Sequence, residues 1–114
     1  YYKWKKNLVL LADEISKSYN RKPFKIIDFS VYNEFTTELV PINPKDKMMY
    51  YWESSHYKKD LGDIVLDNLL DLTRDKQLGV ELSIQNIDQH IENLKVNRVK
   101  YVNIKNNKDK FFND

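Results

Sequence analysis

"YYWESSHYKKDLGD", residues 50–63, is the stretch on which the reading of this chain turns. Two tyrosines and a tryptophan run into the carboxylate of Glu53. Ser54, Ser55 and His56 follow, and apolar residues at helical spacing begin just after. The order reads as a strand end, a turn and a helix start, the junction where open α/β sheets gather their sites. Three positions separate Glu53 from His56, so the side chains converge if the backbone turns between them, and two serines are small enough to allow that turn. A carboxylate on one ring nitrogen fixes the tautomer and leaves the other nitrogen as a base for a serine. The same residues also read as a surface histidine beside a glutamate, with core aromatics before them.

C-terminal to this stretch, residues 58–72 are expected to be helical. Leu61, Ile64, Val65 and Leu69 line one face, and Asp60, Asp63 and Asp67 lie near the other. Gly62, inside that helix, costs about 1 kcal/mol relative to Ala and marks close packing. "RDKQLGV", residues 74–80, reads as a surface turn around Gly79. Ser83 is a good N-cap for a last helix over 84–102, striped by Ile84, Ile87, Ile91 and Leu94. His90 is offset from that stripe and reads as a helix-surface residue. A polar tail closes the chain, with Phe111 and Phe112 available to dock.

N-terminal to it, residues 3–19 read as an amphipathic helix with Trp4, Leu8, Leu11 and Ile15 as its apolar stripe. Lys3, Lys5 and Lys6 read as a solvated face. Pro23 ends that helix. "FKIIDFS", residues 24–30, reads as a buried strand, with Asp28 near its end as a cap, a backbone partner or a carboxylate beside a site. Residues 31–47 are irregular, and "MMYYW", residues 48–52, reads as a second strand. Two lone strands do not make a stable sheet. The expectation is therefore the end of a larger α/β sheet whose first strands lie upstream, which fits a start at Tyr1 rather than Met.

Composition narrows the function classes. At 114 residues one domain is expected, spanning 1–105, with a polar tail over 106–114. Charged residues make up 32% of the chain, yet the net charge is only +2, which argues against nucleic acid as a partner. No apolar run reaches the roughly 18 residues of a membrane span. Without cysteine there is no disulfide or thiolate metal site. Two glycines, Gly62 and Gly79, cannot build a phosphate loop. The two histidines lack helical metal-ligand spacing, so neither metal nor cofactor is expected. Eight tyrosines invite a carbohydrate or stacking platform, although Tyr50, Tyr51 and Trp52 also read as core and rim.

"YWESSHYKKDLGDIVLD" resembles the last block of the SGNH, or GDSL-like, hydrolase superfamily, in which a D-x-x-H pair follows the final strand. The pair appears here as Glu53-Ser54-Ser55-His56, with Glu in place of Asp, a difference of one methylene or about 1.5 Å of chain. The likeness is to uncharacterised bacterial members and covers about three quarters of the chain, in order: Trp4-Lys5, Asp28 to Pro41, Tyr51 to Asp67 and Gly79 to His90. It implies a three-layer α/β/α, flavodoxin-like sandwich with a parallel sheet, of which this chain is the C-terminal part. Strands 24–29 and 48–52 are then parallel neighbours, with 31–47 as the crossover. It further implies a serine esterase or acyltransferase acting on ester or carbohydrate substrates in a bacterial envelope setting. His56 is then the base, Glu53 the orienter, and Trp52 and Tyr57 the edge of the substrate site. The family's nucleophilic serine and oxyanion donors belong to other blocks. Ser16, Ser18, Ser30, Ser54, Ser55 and Ser83 lack the required turn context, so the chain alone is expected to be inactive. The competing expectation is a non-catalytic interaction module or a self-associating, degenerate hydrolase-like domain. Either reading expects a partner, the missing N-terminal part of a parent chain or a second copy, to cover apolar faces.

Overall fold

A computed structural model describes residues 1–43, 45–53, 55–72 and 77–111, the last five of these by backbone alone. Its elements are α1 (Tyr2–Ser18), β1 (Ile27–Asp28), α2 (Lys59–Leu69), β2 (Val80–Glu81) and α3 (Ile87–Phe111). Ser54, residues 74–76 of the expected turn, and Phe112 lie outside the described residues, as does the side chain of Phe111.

The expected α/β/α sandwich with a parallel sheet is not what forms. The chain is mostly helical, and its described sheet is two antiparallel strands, β1 beside β2. Each strand is two residues long, and the Leu82 amide extends the pairing by donating to the Ile26 carbonyl at 2.8 Å. Residues 24–26 lie outside any strand, and Phe24 is exposed. Residues 48–52 take other partners. The Glu38 carboxylate accepts from the amides of Met49 and, at 2.8 Å, Tyr50. Tyr51 bridges to Tyr57 antiparallel. The expected burial is also not met: of residues 24–30 only Asp28 is buried, and of 48–52 only Met48. Side chains and a local hairpin took up backbone groups that a neighbouring parallel strand would have satisfied.

The chain divides into two compact units, Tyr1–Asp28 with Glu81–Asp114, and Phe29–Val80. The first is discontinuous in sequence, so no linker composition marks it.

In the first unit α1 packs on α3. The buried face of α1 is Lys5, Val9, Ala12 and Ser16. The stripe expected to be core, Trp4, Leu8 and Leu11, is exposed, and Ile15 is half-buried. Polar residues are tolerated inside because each has a partner. Lys5 pairs with Asp28, and the Ser16 hydroxyl donates to the Asp13 carbonyl at 2.7 Å. The helix closes on Asn20, whose φ of 46° reverses the chain so that the Arg21 amide reaches the Ser16 carbonyl at 2.9 Å. On α3 the expected Ile87, Ile91 and Leu94 are buried, while Ile84 is exposed. That helix begins later than expected because residues 84–86 form a turn instead. The Ser83 amide donates to the Asn86 side chain (2.9 Å), and the Ser83 carbonyl accepts from Ile87 (3.0 Å). The helix then runs to Phe111, through residues expected to be tail.

In the second unit Phe35, Leu61 and Leu78 form the core, with Phe29, Tyr50, Tyr51, Ile64 and Val65 packed on it. Phe35 meets Tyr50 edge-on at 4.9 Å. The irregular segment is ordered by Asn33, whose side-chain oxygen accepts from the amides of Phe35 and Thr36, both at 3.1 Å. Its amide donates to the Leu78 carbonyl at 3.0 Å. Of the expected α2 stripe, Leu61 is buried and Leu69 exposed.

Candidate functional site

Residues 50–58 fold back on themselves. The Lys58 amide donates to the Tyr50 carbonyl at 2.7 Å, and the Trp52 amide to the His56 carbonyl at 2.8 Å. His56 therefore sits where a tight hairpin returns, not at the carboxyl end of a parallel-sheet strand as expected. The short loop nonetheless brings Glu53 and His56 together. Glu53 Oε1 accepts from the His56 backbone amide at 2.9 Å and also contacts Nδ1 of the same residue. Its Oε2 accepts from the Ser55 amide at 3.2 Å, and the Ser55 hydroxyl donates to both carboxylate oxygens at 2.9 and 3.1 Å.

These donors explain the electrostatics. The hydrogen bond from the His56 side chain, followed by that from the Ser55 hydroxyl, holds the Glu53 carboxyl down at about 2. Glu53 is thus an anion wherever a histidine ordinarily titrates. An anionic carboxylate only accepts, so Nδ1 of His56 carries a hydrogen. The basic nitrogen of the neutral ring is then Nε2, and the side chain is 80% exposed. Ser55 lies 3.3 Å from Nδ1, the nitrogen already engaged by Glu53, and its hydroxyl is directed to the carboxylate. It supports the pair and is not activated by it.

Trp52 and Tyr57 flank His56, and both are exposed. The Lys58 ammonium stands 5.2 Å from the centre of the Trp52 ring and also donates to the Met48 carbonyl. The Tyr57 ring lies over Gly62, where a Cβ would meet it at 3.4 Å. Inside the hairpin, Tyr51 has its hydroxyl pKa raised, first by burial and then by the Glu38 charge.

A second constellation belongs to the other unit and was not anticipated. Asp28, on β1, receives the Lys5 ammonium of α1 on Oδ1 at 2.5 Å and the His90 Nε2 of α3 on Oδ2 at 2.8 Å. All three side chains are at least nine-tenths buried. Lys5, read as solvated, and His90, read as a surface residue, are thus interior groups tied to one carboxylate. Helical periodicity gave no sign of this, because it ranks positions by hydropathy and cannot see a distant partner. Lys5 also faces the Tyr1 ring at 4.7 Å.

No described cluster of three or more His, Asp or Glu side chains is placed to hold a metal ion. No described helix is long and apolar enough to cross a membrane. Comparison of the chain with family models, with curated proteins and with solved structures returns no match.

Proposed function

We propose that the chain supplies the base and its orienting carboxylate to an SGNH-like serine esterase or acyltransferase. The nucleophilic serine comes from polypeptide outside these 114 residues. One observation carries the reading: Glu53 engages Nδ1 of His56 while the rest of the ring is open to solvent. In this arrangement Nε2 takes the proton of the attacking serine hydroxyl as its oxygen bonds to the acyl carbon, then returns that proton to the departing alkoxide. Glu53 stabilises the imidazolium in between. In this reading the exposed Trp52 and Tyr57 are the substrate contacts, and the substrate is an ester or an acylated carbohydrate.

The test is turnover of a chromogenic acetate ester by the protein that joins this chain to its serine-bearing segment. His56→Ala is expected to lower kcat by roughly four orders of magnitude or more, since no other described group in the hairpin can take the proton. Glu53→Gln is expected to lose about one to two orders less, because the base remains and only its orientation suffers. Unchanged turnover in His56→Ala, or hydrolysis by the 114-residue chain alone, overturns the proposal.

A further inference from the structure

Helix α1 has two faces that sequence pattern alone would assign the wrong way round. Its interior face is Lys5, Val9, Ala12 and Ser16. Its outward face carries Trp4, Leu8 and Leu11, with the half-buried Ile15 completing the row. The steps of four, three and four make a continuous apolar seam of the kind that packs against another helix. Exposed apolar residues scattered singly need no explanation, whereas a row in register along one helix does.

The charges beside the seam say what covers it. At 100° per residue, Lys3 and Glu14 lie about 20° apart on the same flank of the row and near opposite ends of the helix. Both are exposed. The other flank turns into the buried face, so this is the flank open to a partner. In a two-fold antiparallel pairing of two α1 helices, the same flank of each helix meets that of its mate. Leu8 then faces Leu11 of the mate, Trp4 faces Ile15, and each Lys3 comes alongside a Glu14. In a two-fold parallel pairing the equivalent flanks lie on opposite sides of the seam, so Lys3 and Glu14 would face the mate's other flank and find no charge partner there. The seam is therefore self-complementary in shape and charge in one orientation only.

We infer that α1 is the interface of a homodimer, formed by antiparallel pairing of its Trp4–Leu8–Leu11–Ile15 seam with that of a second copy of this chain. The inference does not rest on the hydrolase reading. A single 17-residue helix covers less surface than a standard stable interface, so the dimer is weak and concentration-dependent.

Sedimentation of the chain from low micromolar to millimolar concentration, with helix content followed by circular dichroism, tests it. The unmodified chain is expected to pass from monomer to dimer across that range. Leu11→Glu, at an exposed position, is expected to keep its helix signal and remain monomeric throughout. Lys3→Glu and Glu14→Lys are each expected to raise the dissociation constant by roughly tenfold, because each places like charges together twice in a symmetric dimer. Their combination restores the pairing with signs exchanged and is expected to return the constant to within about threefold of the original. A monomer at every concentration overturns the inference, and so does a double exchange that fails to recover. Either outcome assigns the seam to a different partner, such as the serine-bearing polypeptide.

Discussion

Nε2 of His90 lies 2.8 Å from Oδ2 of Asp28, a buried contact between residues 62 apart in sequence. With Lys5 on the other oxygen of the same carboxylate, it joins α1, β1 and α3 through one side chain. Three polar groups at an interior point cost desolvation, which their mutual pairing offsets only while all remain. Asp28→Asn is expected to destabilise the chain by about 3–5 kcal/mol, because the Lys5 ammonium loses its counter-charge inside the protein. Lys5→Met should recover part of that loss in the Asp28→Asn background. A coupling above about 1 kcal/mol in urea denaturation of the two single variants and the double checks this.

How far the sequence disclosed the structure differs by element. The α3 stripe was legible because Ile87, Ile91 and Leu94 are apolar at helical spacing and all are buried. The α1 face was not, because the row with the cleaner hydropathy pattern faces outward. The row inside includes a lysine whose partner lies beyond the reach of any local pattern. The Glu53–His56 contact was legible because its determinants are local, three residues around a turn. The sheet was misread because β-propensity in residues 24–30 and 48–52 reports half-buried, apolar surface, not which backbone will pair with it. The tie between Asp28 and His90 had no local signature at all.

Asn68 shows the same dependence on distant partners. Its side-chain oxygen accepts from the amides of Leu78 and Gly79 at 3.1 and 3.2 Å, and its amide donates to the Ile64 carbonyl at 2.8 Å. Asn68→Ala strips both amides of this acceptor in a buried place. The expected loss is about 2–4 kcal/mol, read from the denaturant midpoint with an unchanged slope. Amide hydrogen exchange at Leu78 and Gly79 should accelerate more than exchange elsewhere in the second unit.

Gly62 lies within α2 without a positive φ, so its backbone does not require glycine. An added Cβ would touch the Tyr57 ring at 3.4 and 3.8 Å, at the close edge of ordinary contact. Gly62→Ala is accordingly expected to stabilise the helix by about 0.5–1 kcal/mol. Gly62→Val carries two further methyl groups toward the ring, and is expected to displace Tyr57. If Tyr57 contacts substrate, Gly62→Val should raise KM for the ester with little change in kcat, while Gly62→Ala leaves both near their starting values. Thermal unfolding and steady-state kinetics of the two variants separate the stability effect from the positional one.

The acidity of Glu53 can be dissected donor by donor. Its carboxyl is held at about 2, below the ordinary value of 4.5, chiefly by the His56 side chain and next by the Ser55 hydroxyl. A depressed folded-state pKa means that the pairing contributes stability above the ordinary carboxylate pKa. That contribution fades as pH falls from about 4.5 through about 2, where the folded carboxyl finally takes up a proton. The pair is exposed, so added salt should weaken the effect. Carboxyl carbon chemical shifts followed from pH 7 to pH 1.5 are expected to place the Glu53 midpoint near 2 in the unmodified chain. In Ser55→Ala it should rise modestly, and in His56→Ala it should rise further toward the ordinary value, in the order of the two donors' contributions. A midpoint that stays low in His56→Ala would mean that the backbone amides of the turn hold the anion without the ring. The carboxylate would then be a cap of the hairpin, and His56 would have no fixed tautomer to offer a serine.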